Sequence, residues 1–138
     1  MANLKNYRSY SDRSYETIQK CLAEHGVKKI MNEFDDNGRI VAITFSIVLN
    51  GNEVGVKLPA RVENVEKIIY GNKILTDAQK TQVYRTAWAN IRDWVTAQMA
   101  LIDTKMVKIE EVFLPYIVDN SGVSLFSKLE QSHFLLEK

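Results

Sequence analysis

The chain has one cysteine, Cys21, among 138 residues, and a lone thiol cannot close an internal disulfide. That excludes a scaffold held by disulfides, and it leaves Cys21, on the apolar face of a predicted helix, as a small hydrophobe. Two prolines and six glycines give little material for a linker, so order is expected nearly throughout. No run of about 18 apolar residues occurs, so no membrane-spanning helix is expected. Residues 1–13 lack the apolar core of a signal peptide, and a reducing, cytoplasmic setting is the expectation. An excess of charge of one sign is missing too. Eighteen basic against seventeen acidic residues give a formal net charge of +1, which argues against both a duplex-coating basic protein and an acidic mimic of DNA.

What is there reads as one α+β domain over residues 1–138, with 46% hydrophobic and 25% charged residues. Tyr15, Ile18, Cys21 and Leu22 follow helical spacing, and Gly26 stands where a left-handed C-terminal cap belongs. Residues 27–34, the turn cluster Asp35-Asp36-Asn37-Gly38 and residues 40–49 read as a hairpin, with Val41, Ile43, Phe45, Ile47 and Leu49 on one face. Asn50-Gly51-Asn52 turns the chain into a third strand, 53–58, which completes a three-stranded antiparallel meander. Pro59 is expected to open the next helix, whose Val62, Val65, Ile68 and Ile69 form an apolar stripe ending at Gly71. Thr76-Asp77-Ala78-Gln79 has the form of a capping box and announces the longest helix, about 77–103, with Tyr84, Trp88, Ile91, Val95 and Ile102 along one stripe and Trp94 and Leu101 widening it. Residues 107–114 read as a short helix stopped by Pro115, residues 116–118 as extended, and 124–136 as a last helix turning Leu125, Phe126 and Leu129 toward the core.

Motifs that announce chemistry are scarce. His25 and His133 are far apart and lack zinc-ligand spacing, and His25 is placed to meet the last carbonyls of its helix. The 35–38 cluster lacks the later bidentate Glu of a calcium loop, adjacent Glu110 and Glu111 point about 100° apart on a helix, and no Gly-rich phosphate loop or nucleophile motif occurs. No catalytic residue, metal or cofactor is therefore assigned, and an enzyme is the less favoured expectation. Two sets of residues have binding chemistry. Lys5, Tyr7, Arg8, Tyr10 and Arg13 alternate cations with aromatics, as single-stranded nucleic acid requires, and Lys28 and Lys29 extend the local excess of six cations over three carboxylates in residues 1–30. The plainer reading of that run is an ordered lead-in. Arg85 and Arg92 share a face of the long helix and could grip an anion, while Trp88 and Trp94, about 240° apart around it, provide either packing or interface anchors.

The stretch 85–102, RTAWANIRDWVTAQMALI, with VFLPY at 112–116 and KLPA at 57–60, resembles a family of small uncharacterised bacteriophage and prophage proteins over roughly half the chain. The resemblance implies a phage-encoded protein acting in the bacterial host cytoplasm, and it carries over no activity. The leading expectation is a non-enzymatic binding protein, acting by contact with a host or phage protein in the manner of an anti-CRISPR-like anti-defence inhibitor. The alternatives are a single-stranded nucleic-acid-binding accessory of phage replication or recombination, and a nucleotide binder or enzyme whose site is assembled from distant residues. A homo-oligomer is compatible with each, and a membrane partner with none.

Overall fold

The computed structural model describes residues 13–132. It is an α+β structure in the order α1 (Arg13–Glu24), β1 (Ile30–Phe34), β2 (Ile40–Leu49), β3 (Asn52–Pro59), α2 (Val62–Tyr70), α3 (Asp77–Asp103), α4 (Ile109–Phe113), a 3-10 turn (Leu114–Tyr116), β4 (Ile117–Val118) and α5 (Leu125–Gln131). The first helix ends as its sequence dictates. Gly26, at φ 89, lets Val27 N–H reach the Leu22 carbonyl and Gly26 N–H the Ala23 carbonyl, a Schellman closure that a Cβ would strain.

The sheet is antiparallel in the order β1-β2-β3-β4, so it has four strands where the sequence predicts three. The fourth is only Ile117–Val118, paired with Val56 and Gly55. Of residues 116–118, expected to be extended, only 117 and 118 are, while Tyr116 closes the 3-10 turn, and two residues carry no alternating pattern that could announce a partner. Pro59 also departs from expectation. It ends β3 opposite Ala42 and does not open α2; its missing N–H costs the ladder nothing, because that side faces away from β2 at a point where β4 has already stopped.

One face of the sheet carries Ile43, Phe45 and Ile47 of β2 with Val56 and Leu58 of β3, and these join Ile18 and Leu22 of α1, Tyr84, Trp88, Val95 and Met99 of α3, and Phe113 in one hydrophobic cluster. The long helix is fixed at its start by a complete capping box between Thr76 and Gln79. Two expected apolar stripes do not enter this core. On α2, Val62 and Val65 pack against it while Ile68 is 85% exposed and Ile69 also lies outward, because nine residues allow one contact line on α3 and no second layer. On α5, Phe126 is 47% exposed and Leu129 is exposed as well, so the expected inward turn of that helix is corrected: it lies along the 3-10 turn at the sheet edge.

Candidate functional site

The opposite face of the sheet is its solvent side. It is polar and charge-balanced: Lys29 meets Glu53 at 2.9 Å, and Lys57 meets Glu33 at 3.1 Å, with Met31 exposed between them and Val48 exposed opposite Glu53. Where this face runs into α5 it becomes concave. A groove of about 650 Å³ lies between the end of β3, the 3-10 turn and α5, a size that suits a peptide segment or small ligand.

The groove combines apolar and polar surface. Pro59, Pro115, Tyr116, Val118, Val123 and Phe126 line it, with Ser127 and Gln131 of α5 adding hydrogen-bonding groups. Two cations, Lys57 and Arg61, stand at one side, and no carboxylate is among the lining residues. Lys57 and Arg61, with Pro59, also border a neighbouring cavity of about 290 Å³ that leads past Glu33 and Glu63. Arg61 is unusual in its backbone. It is the N-cap of α2 with φ 50 and ψ 50, a left-handed conformation that costs a side-chain-bearing residue about 1–2 kcal/mol, and its side chain caps nothing. It makes no ion pair with any described residue.

The far wall is held in place by Asp119. One carboxylate oxygen accepts from Ser121 N–H at 2.8 Å, Ser121 O–H at 2.6 Å and Val123 N–H at 3.1 Å, and the other meets Lys128 of α5 at 2.8 Å. The Lys128 contact, with the hydroxyl and amide donors after it, holds this carboxyl far below the usual carboxylate range. Tyr116 connects the groove to the core. Its ring lies 5.5 Å from Trp94, Trp94 lies 5.6 Å from Phe113, and Phe113 lies 5.1 Å from Phe45, all edge to face.

Of the residues singled out in the sequence, Lys5, Tyr7, Arg8 and Tyr10 lie outside the described residues, as does His133. Arg13 opens α1, whereas Lys28 and Lys29 follow its far end, so a helix of twelve residues, about 18 Å long, separates them and they form no common patch. Lys29 is already paired with Glu53. Arg92 bridges helices: Nη1 donates to Ser14 Oγ at 3.1 Å, and the same guanidinium meets Asp93 at 2.9 Å, with Ser14 itself 1% exposed. Arg85 is exposed on α3. Trp88 is fully buried, with Nε1–H donating to the Ile40 carbonyl at 3.1 Å and its ring edge-on to Tyr15, so it offers a partner no surface. Trp94 is half-buried beneath Phe113 and Tyr116. Thus none of the groove's polar or cationic residues was among the sequence candidates. The left-handed Arg61 and the approach of α5 to β3 leave no local signature.

Among the described residues no group of three His, Cys, Asp or Glu side chains is arranged to hold a metal ion. No described helix is long and apolar enough to cross a membrane. No protein-family model, curated protein or solved structure matches the chain.

Proposed function

We propose that this chain is a binding protein that acts by contact, and that its groove takes a segment of a partner protein carrying a carboxylate beside apolar side chains. The observation that carries this reading is the composition of the groove: apolar side chains stand beside Arg61 and Lys57, the latter paired with Glu33, and no carboxylate is among the lining residues. Arg61 is the residue that speaks most directly for a ligand. A guanidinium that makes no ion pair with any described carboxylate, on a backbone that costs energy to hold, suits bidentate capture of an incoming one. Apolar side chains entering over Pro59, Pro115 and Phe126 would provide the buried area.

The resemblance to phage and prophage proteins directs the search for the partner. On that basis we place a host defence protein first, with a nuclease of the CRISPR effector class as the leading example and the anti-defence role as its consequence. The nucleic-acid reading stands second. Two cations and two aromatics in one groove also suit a single strand, but the cations cluster at one end, whereas a phosphate chain asks for charge along its length.

The test is fluorescence anisotropy of short labelled peptides that pair Leu or Phe with Glu, matched peptides with Lys in place of Glu, and a labelled oligothymidylate. The expected result is binding of the acidic peptides alone, weakened at least about tenfold in Arg61→Glu, equivalent to about 1.4 kcal/mol. Equal binding by Arg61→Glu, or no preference for acidic peptides, would overturn the assignment. Salt-dependent binding of the oligothymidylate alone would put the nucleic-acid reading in its place.

A further inference from the structure

We propose that two copies of this chain associate through the edge of β1 that no described strand covers, joining their sheets into one antiparallel sheet of eight strands. This inference is independent of the groove, which lies at the opposite end of the strand order.

The direction of the backbone groups follows from the register. Ser46 N–H donates to the Lys29 carbonyl, and the pairing continues through Met31 with Thr44 and Glu33 with Ala42. By alternation Lys29, Met31 and Glu33 spend their backbone groups on β2, so the N–H and C=O of Ile30, Asn32 and Phe34 point away from the sheet. The shift between Glu33 and Phe34 does not reverse this, since Asp35 N–H again faces β2, donating to the Arg39 carbonyl. No described strand covers this edge. An edge of this kind is a template for another strand.

The side chains select a second copy as that strand. Antiparallel pairing about a two-fold axis at Asn32 matches every outward residue of one copy with an outward residue of the other: Ile30 with Phe34, Asn32 with its counterpart, and Phe34 with Ile30. The same register sets Lys29 opposite Asp35, and it brings Lys28, just before the strand, near Asp36, in the hairpin turn just after it, twice each by symmetry. Lys28 and Asp36 are exposed and form no ion pair with a described residue, while Lys29 and Asp35 are engaged with Glu53 and Arg39. Cations at one end of a strand and carboxylates at the other are complementary to their own copy and to no parallel arrangement of it. The exposed Phe34 gains an apolar neighbour in Ile30 of the second copy.

A strand of five residues buries well under the ~1,200 Å² of a standard interface, so the dimer is weak and concentration-dependent. Its consequence is geometric. Eight strands at about 4.8 Å spacing place the two grooves at opposite ends of the joined sheet, roughly 34 Å apart, which would let the dimer engage a two-fold symmetric partner at both sites.

The test is sedimentation velocity across a concentration series for wild type, Lys28→Asp, Asp36→Lys and the double exchange, with circular dichroism to establish that each variant is folded. Each single reversal is expected to weaken association at least about tenfold, since it sets two like-charge pairs across the axis, and the double exchange to restore it. In hydrogen exchange, the amides of Ile30, Asn32 and Phe34 gain protection as concentration rises. A monomer at every concentration, or a dimer indifferent to the single reversals, would overturn the proposal, as would a dimer in which those three amides stay unprotected.

Discussion

Ile40 lies where β3 has already stopped, and the irregularity between Glu33 and Phe34 leaves its backbone groups without a strand partner. Two side chains of α3 take their place: Tyr84 Oη accepts from Ile40 N–H at 3.0 Å, and Trp88 Nε1 donates to its carbonyl at 3.1 Å. Burial pushes the Tyr84 hydroxyl up to about 12, so it stays protonated across the physiological range. Tyr84→Phe leaves a covered N–H without its acceptor and is expected to cost about 1–2 kcal/mol, seen as a lower urea midpoint with an unchanged slope. His25 makes a comparable link on the other side of the molecule. Its Nδ1 meets the Cys21 carbonyl at 2.7 Å and its Nε2 the Asp103 carboxylate at 2.9 Å, and these contacts, the carbonyl first, raise its pKa. A raised folded-state pKa means that the contribution is complete below about 6.5, the unfolded value, and is lost as pH rises through the folded one. Asp103→Asn should therefore flatten the fall in thermal midpoint between about pH 6 and about pH 8.

The elements differ in how much of the core they own. Helices α1 and α3 and strands β2 and β3 supply nearly all of the buried cluster, whereas α5 has no fully buried residue and is tied down by the Lys128–Asp119 pair. Amide exchange is accordingly expected to be fastest in residues 117–131 and slowest in β2 and the middle of α3, and Asp119→Ala to speed exchange in α5 while leaving β2 unchanged. The junction between β3 and α2 offers a second check. Replacing Arg61 by Gly removes a left-handed side-chain-bearing residue, and stability should rise by about 0.5–1 kcal/mol, the relief of the αL penalty less the extra entropy that glycine loses on folding. If Arg61→Gly instead lowers the melting midpoint, the side chain has a structural role in the free protein that its position does not show.

At the scale of the whole molecule, helices cover one face of the sheet and the other is left to solvent. The aromatic line from Phe45 through Phe113 and Trp94 to Tyr116 joins the core to the groove. Trp94 is thereby a reporter: an acidic peptide seated on Tyr116 should change the tryptophan emission, and the change should disappear in Trp94→Phe and persist in Trp88→Phe. Emission that responds equally in both variants would place the ligand elsewhere.

Local pattern was enough for much of this. The apolar spacing of α1 and α3, the capping box at Thr76, Gly26 after α1 and the Asn50-Gly51 turn each act within a few residues, so the α+β class and the first three strands were legible in the sequence. The rest depends on contacts between residues far apart. Two residues become β4 only because Gly55 and Val56 present a free edge, Pro59 ends a strand because of where its neighbours stop, and Trp88 is core because the orphaned carbonyl of Ile40 lies above it. The groove belongs to the same class: Lys57, Arg61, Tyr116 and Phe126 carry no shared spacing, and only the packing of α5 beside the sheet brings them together.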